Sequence, residues 1–228
     1  MGVPFQLRTC PGIAADGVFK SRQVILFVYH LIMTAIQSVA VFCGSNFGYS
    51  PLYKKAAQDL GAELVRLKIA LVYGGTTKGL MGVIADTVLG LGGQVTGIIT
   101  QKLYEKGQFH AHLTHHMVCP NMRERKAKMS ELSDAFIALP GGFGTFEELL
   151  EAATLTQLGE HSKACGVLNI AGFYEPLRLL MDKAIQEGFM KPQMRDTVLF
   201  EQDSALLLKA LSSWQAPTVD KWIDAPVP

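Results

Sequence analysis

The chain has almost no net charge: its 228 residues carry 21 Lys and Arg against 20 Asp and Glu. No global field would draw it to nucleic acid or to an acidic membrane, so small, locally recognised ligands are the expected partners. Cysteine is scarce too. Cys10, Cys43, Cys119 and Cys165 show no Cys-x-x-Cys spacing, and a chain of this length can bury enough core to fold without disulfides. A reducing, cytoplasmic setting is the simplest expectation. Two nucleotide signatures are also missing. Gly44 lacks the later glycines of a dinucleotide fingerprint, and Gly74-Gly75-Thr76-Thr77-Lys78-Gly79 has no Gly-Lys-Ser/Thr ending, so neither hydride transfer nor P-loop NTP hydrolysis is expected.

One long apolar run, Val24 to Cys43, is about the length of a membrane span and follows Lys20 and Arg22. His30, Gln37 and Ser38 interrupt it, and its far end, Ser38 to Ser45, reads as a buried strand entering a Gly/Ser turn. The expected division is an N-terminal extension over 1–32, a Rossmann-like nucleotide-binding catalytic domain over 33–215 and a poorly ordered tail over 216–228. No membrane association is expected.

From Ser38 onward short apolar runs alternate with helical stretches, which predicts an α/β fold: a doubly wound, mostly parallel sheet in one domain, with helices on both faces. Strands are expected at 38–43, 69–73, 94–99, 134–139 and 165–169, with weaker candidates at 116–119 and 197–200. Helices are expected from Pro51 under a Ser50 cap to Arg66, from Lys78 to Leu91 ahead of Gly92-Gly93, from Asn121 to Leu132, from Thr145 to Leu158, from Glu175 to Glu187, and after Asp203.

Three of these strands end in glycine-rich punctuation, at Gly44-Ser45, Gly74-Gly75 and Gly141-Gly142. Ligands of open parallel sheets bind beyond the carboxyl ends of the strands, so these loops should line one crevice. The richest turn is Pro140-Gly141-Gly142-Phe143-Gly144-Thr145-Phe146-Glu147-Glu148, set where a buried strand hands over to a helix. Such a turn presents unpaired N–H groups at the positive end of a helix dipole, and glycine admits a phosphate without a Cβ in the way. Ahead of it, Met122-Arg123-Glu124-Arg125-Lys126-Ala127-Lys128 is strongly basic. A helix here can aim Arg125 or Lys126 into the crevice while Met122 and Met129 pack inward; arginine would grip a phosphate in bidentate fashion.

The pairing of Met122-Arg123-Glu124-Arg125-Lys126 with the Pro140 to Glu148 motif resembles the LOG ("Lonely Guy") family of cytokinin riboside 5′-monophosphate phosphoribohydrolases. Phe42-Cys43-Gly44-Ser45, Tyr73-Gly74-Gly75 with Gly79-Leu80-Met81-Gly82, and Gln157-Leu158-Gly159 with His161 and Lys163 extend the likeness over about Ser38 to Leu211. The resemblance implies hydrolysis of the N-glycosidic bond of AMP or N6-modified AMP, giving free base and ribose 5-phosphate. It implies a homodimer, no cofactor and no metal. The catalytic pair falls on Arg125 and Glu148. Substrate contacts fall on Gly44, Ser45, Gly74, Gly75, Met122, Lys126, Gly141, Gly142, Phe143, Gly144, Thr145, Phe146, Glu147 and Thr154, with Thr154 near the subunit contact. A carboxylate beside the sugar would stabilise developing positive charge or activate water, and Glu147 could raise the pKa of its neighbour.

The family often carries the label lysine decarboxylase, yet no residue pattern here supports a pyridoxal phosphate Schiff base. The loop leading to His110 reads Lys106-Gly107-Gln108 where many relatives carry an acidic residue, which leaves the preferred base open. His110, His112, His115 and His116 lack supporting carboxylates or cysteines at ligand spacing, so an exposed loop or subunit contact is expected rather than a metal site. The alternatives are a general AMP nucleosidase and a non-catalytic carrier of a phosphorylated cofactor such as molybdenum cofactor.

Overall fold

The computed structural model describes residues 36–218 and Ile223. The expected extension and most of the expected tail lie outside the described residues. Seven strands form one sheet: β1 (Ser38–Phe42), β2 (Ala70–Tyr73), β3 (Val95–Thr100), β4 (His115–Cys119), β5 (Ala135–Ala138), β6 (Ala164–Leu168) and β7 (Val198–Glu201). Their spatial order is β4-β3-β2-β1-β5-β6-β7, and every pairing is parallel. The chain winds outward from β1 to β4, returns, and winds the other way from β5. The reversal lies between β1 and β5, where open α/β sheets bind their ligands.

Both faces of the sheet are covered, which is why β1, β2, β5 and β6 are apolar at nearly every position. Val39 and Val41 face one core with Leu60 and Leu64 of α1 (Pro51–Arg66), Ile84 and Val88 of α2 (Gly79–Gly90), and Leu207 and Leu211 of α7 (Ser204–Ser213). Ala40 and Phe42 face the other, with Met129 of α4 (Met122–Glu131) and Leu149 and Ala152 of α5 (Phe143–Gln157). On that side α6 (Glu175–Gln186) contributes the partly buried Leu177 and Met181. Burying one such side chain stabilises the fold by about 1.5–3 kcal/mol. Asp134 pins the start of β1, accepting from the Gln37 and Ser38 amides at 2.8 and 2.9 Å.

The helix boundaries follow local chemistry. Ser50 caps α1 ahead of Pro51, Asn121 caps α4 by accepting from the Glu124 amide at 3.0 Å, and Asp203 caps α7. Helix α2 closes at Gly92 (φ +80), where the Gly92 and Gly93 amides donate back to Leu89 and Val88. Some details differ from expectation. Helix α5 begins at Phe143 rather than Thr145, because Gly142 is already extended (φ −107, ψ −154) and serves as the cap. A short α3 (Gln101–Glu105) follows β3 directly. Met122 is 47% exposed rather than packed inward like Met129, since the first turn of α4 runs past the strand ends. Among the described residues no helix is long and apolar enough to cross a membrane.

Candidate active site

The loops after β1, β2 and β5 meet at the carboxyl edge of the sheet. The Gly44 amide donates to the Pro140 carbonyl at 3.0 Å, and the Leu80 amide donates to the Gly44 carbonyl at the same distance. Gly79 (φ +53) permits the second contact, since a Cβ there would stand 2.3 Å from the Asn46 nitrogen. Gly44, Ser45, Gly141 and Gly142 line a crevice of about 260 Å³ together with Phe47, Tyr53 and Phe173. Thr145 is buried against Gly141, where a Cβ would meet its hydroxyl at 2.1 Å; the loop therefore wraps tightly around the helix start. Phe143 is almost fully exposed at the rim, and Gly144 is exposed beside it.

Gly74 and Gly75 are buried and face the protein rather than the crevice. Gly75 (φ +75) packs on β3, while a Cβ on Gly74 would stand 2.4 Å from an Arg125 terminal nitrogen. The reason is the return from β4 to β5, which carries α4 along β3. Arg125, only 7% exposed, donates from Nε to the Ile98 carbonyl at 2.8 Å and from Nη1 to Glu148 Oε1 at 2.9 Å. Its guanidinium is thus fixed by the end of β3, the bare backbone of Gly74 and a carboxylate of α5.

Burial pushes the Glu148 carboxyl above the ordinary glutamate range; Arg125 opposes the rise and the neighbouring Glu147 adds to it. Lys126 bridges α4 to α5 through Glu147 and Glu151, the latter at 2.8 Å. Desolvation lowers its pKa, but the two carboxylates outweigh that and hold the ammonium charged. Glu151 was not legible as a site residue from the motif, although it lies one helical turn past Glu147 on the same face. Between the helices runs a groove of about 130 Å³, lined by Glu148 and Glu151 and by the apolar Phe42, Phe136, Ala152 and Leu155. Phe42 and Phe136 stack at 5.9 Å to form an apolar floor. Lys163 donates to the carbonyl of Ser130, a groove residue, at 2.5 Å, and the His161 ring packs on Phe136 at 5.4 Å.

Other sequence candidates lie elsewhere. Thr154 is exposed on α5, donating to the Leu150 carbonyl, in a stripe with Phe146, Leu150 and Leu158, all at least 36% exposed. His110 is buried rather than on an exposed loop; its Nε2 meets Asp86 at 2.9 Å and its Nδ1 accepts from the His112 amide. Among the described residues no group of His, Cys, Asp and Glu is disposed to hold a metal. Cys43 lies near Glu148, but burial first, and the Glu148 charge second, push its thiol far up, which removes it as a nucleophile. A larger cavity, about 330 Å³, sits between α1 and the start of α7 and contains none of these residues.

Comparison with known proteins places this geometry. The family model described as "Possible lysine decarboxylase" matches residues 81–211. A probable cytokinin riboside 5′-monophosphate phosphoribohydrolase of Oryza sativa subsp. japonica is 46% identical over 176 residues, 77% of this chain and 79% of its own. A cytokinin riboside 5′-monophosphate phosphoribohydrolase of Arabidopsis thaliana is 43% identical over 183 residues, 80% and 86% of the two chains. The chain belongs to the LOG family. Solved structures with the same fold include the molybdenum cofactor binding protein from Rippkaea orientalis, at TM-score 0.59 and 19% identity over 77% of this chain and 95% of that one. The Moco carrier protein from Chlamydomonas reinhardtii matches at TM-score 0.58 and 17% identity, over 76% and 93%. At such identities the likeness concerns the fold.

A decarboxylase label would call for pyridoxal phosphate, and the residues of this LOG chain do not fit that group. A Schiff-base lysine needs a depressed pKa and a free amine. Lys126, the one lysine lining either cavity beside Glu148, is shifted upward and bound by two carboxylates.

Proposed function

We propose that this protein hydrolyses the N-glycosidic bond of an adenosine 5′-monophosphate carrying an N6 substituent, releasing the free base and ribose 5-phosphate. The observation that carries this reading is the buried Arg125–Glu148 pair at 2.9 Å, set beside the glycine-rich crevice of a LOG chain. The amides of the Gly141 to Thr145 turn are the expected seat of the 5′-phosphate. The apolar groove floored by Phe42 and Phe136 suits the base with its N6 group, and Glu148, which lines that groove, would then stand at the sugar.

In the reaction the C1′–N bond breaks with its electron pair leaving on the base, and positive charge builds on the ribose ring. An ionised Glu148 would stabilise that charge or take a proton from the attacking water, whose oxygen joins C1′; the departing base gains a proton. Arg125 cannot act as an acid at neutral pH. Its role is to keep Glu148 ionised against burial and to hold it in register.

The test is release of base from AMP and from N6-isopentenyl-AMP by purified protein without added metal, alongside Glu148→Gln. Turnover by the wild type, abolished in the variant, is expected. Binding without turnover would indicate a carrier instead, and equal turnover of both nucleotides would indicate a general AMP nucleosidase. The protein is further proposed to act in the cytoplasm as a homodimer through the exposed α5 stripe around Leu150 and Thr154. A monomeric sedimentation coefficient for the active protein would refute that contact.

A further inference from the structure

A turn that binds an anion through backbone amides works only if those amides are held in place. Leu139 and Pro140 lead into the Gly141 to Thr145 turn, and each of their backbone polar groups is engaged. The Leu139 amide donates to the Phe42 carbonyl at 2.9 Å, and the Pro140 carbonyl accepts from the Gly44 amide at 3.0 Å. Both of these bonds join neighbouring strand ends. The Leu139 carbonyl, in contrast, accepts from the Tyr174 hydroxyl at 2.7 Å, a residue beyond β6 at the cap of α6.

Tyr174 is well suited to that bond. It is 1% exposed, and burial pushes its hydroxyl above the ordinary tyrosine range, so it stays a donor. Its own amide donates to Asn169 Oδ1 at 2.7 Å, which ties together the two ends of the connection between β6 and α6. Within that connection Ala171 stands at φ +52 and ψ 30, a left-handed conformation that residues other than glycine adopt rarely and that persists where the surroundings enforce it. Two consecutive aromatic residues are thereby delivered to the site. Phe173 lines the crevice with Gly141 and Gly142, stacks on Phe146 at 6.2 Å and meets Tyr53 edge-on at 6.0 Å. Tyr174, edge-on to Phe173 at 5.1 Å, reaches Leu139.

We propose that Tyr174 is a positioning residue of the hydrolase: its hydroxyl, held by the Ala171 turn, fixes the Leu139 carbonyl and so aims the amides of the glycine-rich turn at the 5′-phosphate. The proposal rests on the hydrolase reading above. Tyr174 acts through the backbone of the turn and touches no substrate atom.

The experiment measures kcat and KM for N6-isopentenyl-AMP, and Kd for ribose 5-phosphate and for N6-isopentenyladenine, in wild type, Tyr174→Phe and Asn169→Ala. Tyr174→Phe keeps the ring and its packing and removes only the donor. A turn displaced by about an ångström should lower kcat/KM by about 10- to 100-fold, mostly through KM, and weaken ribose 5-phosphate to a similar degree. The free base makes no contact with the turn and should bind as before, and the acid limb of the pH-rate profile should stay where Glu148 sets it. Asn169→Ala releases the Tyr174 amide and should show the same split. A lower melting temperature with an unchanged Kd for ribose 5-phosphate in both variants would mean that the bond serves the fold alone, and would overturn the proposal. An equal loss of affinity for sugar phosphate and base would overturn it too. If the wild type cleaves no nucleotide, the hydrolase assignment fails, while the ribose 5-phosphate affinities still read the positioning role.

Discussion

Replacing Arg125 with methionine would remove the only cation among the described residues that is paired with Glu148, and leave a largely buried carboxylate. Breaking a buried ion pair by deleting one partner costs about 3–5 kcal/mol, because the remaining charge is left uncompensated. Glu148 has an escape: it can take up a proton. Its pKa already lies above the ordinary value because burial outweighs Arg125, so without the arginine it must climb further. A group whose folded pKa is raised contributes stability that is present below its unfolded pKa and lost as pH rises through its folded pKa. The variant should therefore lie about 3–5 kcal/mol below the wild type at pH 8 and closer to it at pH 5. Chemical denaturation at both pH values, on Arg125→Met, Glu148→Gln and the double variant, reads this directly. The double variant should regain part of the deficit and lose most of its pH dependence, since it has no buried carboxylate to charge. A deficit equal at both pH values and indifferent to Glu148→Gln would refute the reasoning. It would mean that Arg125 matters for packing and for the Ile98 carbonyl rather than for Glu148.

Gly74→Ala should act on the same pair from below. The added Cβ meets the end of a flexible side chain, 2.4 Å from the guanidinium, so the fold should survive with a cost of about 1–3 kcal/mol. Displacing the guanidinium by about an ångström should lower kcat by up to 10²-fold and move the acid limb of kcat/KM upward, as a pH-rate profile would show. In the wild type that limb should already lie above the range of an ordinary glutamate, because ionised Glu148 is the active form and its carboxyl is raised. Glu147→Gln removes a neighbour that raises it, so the limb should shift to lower pH; a limb that stays in place would show that Glu148 does not set it.

The local chemistry of the chain was enough to place its strands and longer helices. Every strand expected from an apolar run between breakers lies within a residue or two of its observed span, because a strand covered on both faces needs little but apolar side chains and a stop at each end. The caps at Ser50 and Asp203 were equally legible, since a capping side chain bonds an amide only two or three residues away, whereas Asn121, read as the first helical residue, is itself a cap. The start of α5 was harder to place, as Gly142 and Gly144 disguise a helical turn as a loop.

The site divides differently. The motifs that carry Arg125, Lys126 and the Gly141 to Glu148 turn could be read in order along the chain, and the family likeness with them. What those residues touch could not. Arg125 and Glu148 are 23 positions apart and meet only because the β4 to β5 return lays α4 against β3 next to α5. The same packing turns Gly74 from an expected substrate contact into the seat of a guanidinium, and brings Glu151 onto Lys126. Periodicity, capping and turn chemistry act over a few residues and are written in the sequence itself. Burial, the pairing of charges and the raised carboxyl of Glu148 depend on which distant segments share a low-dielectric space, and that was decided only when the sheet closed around its reversal point.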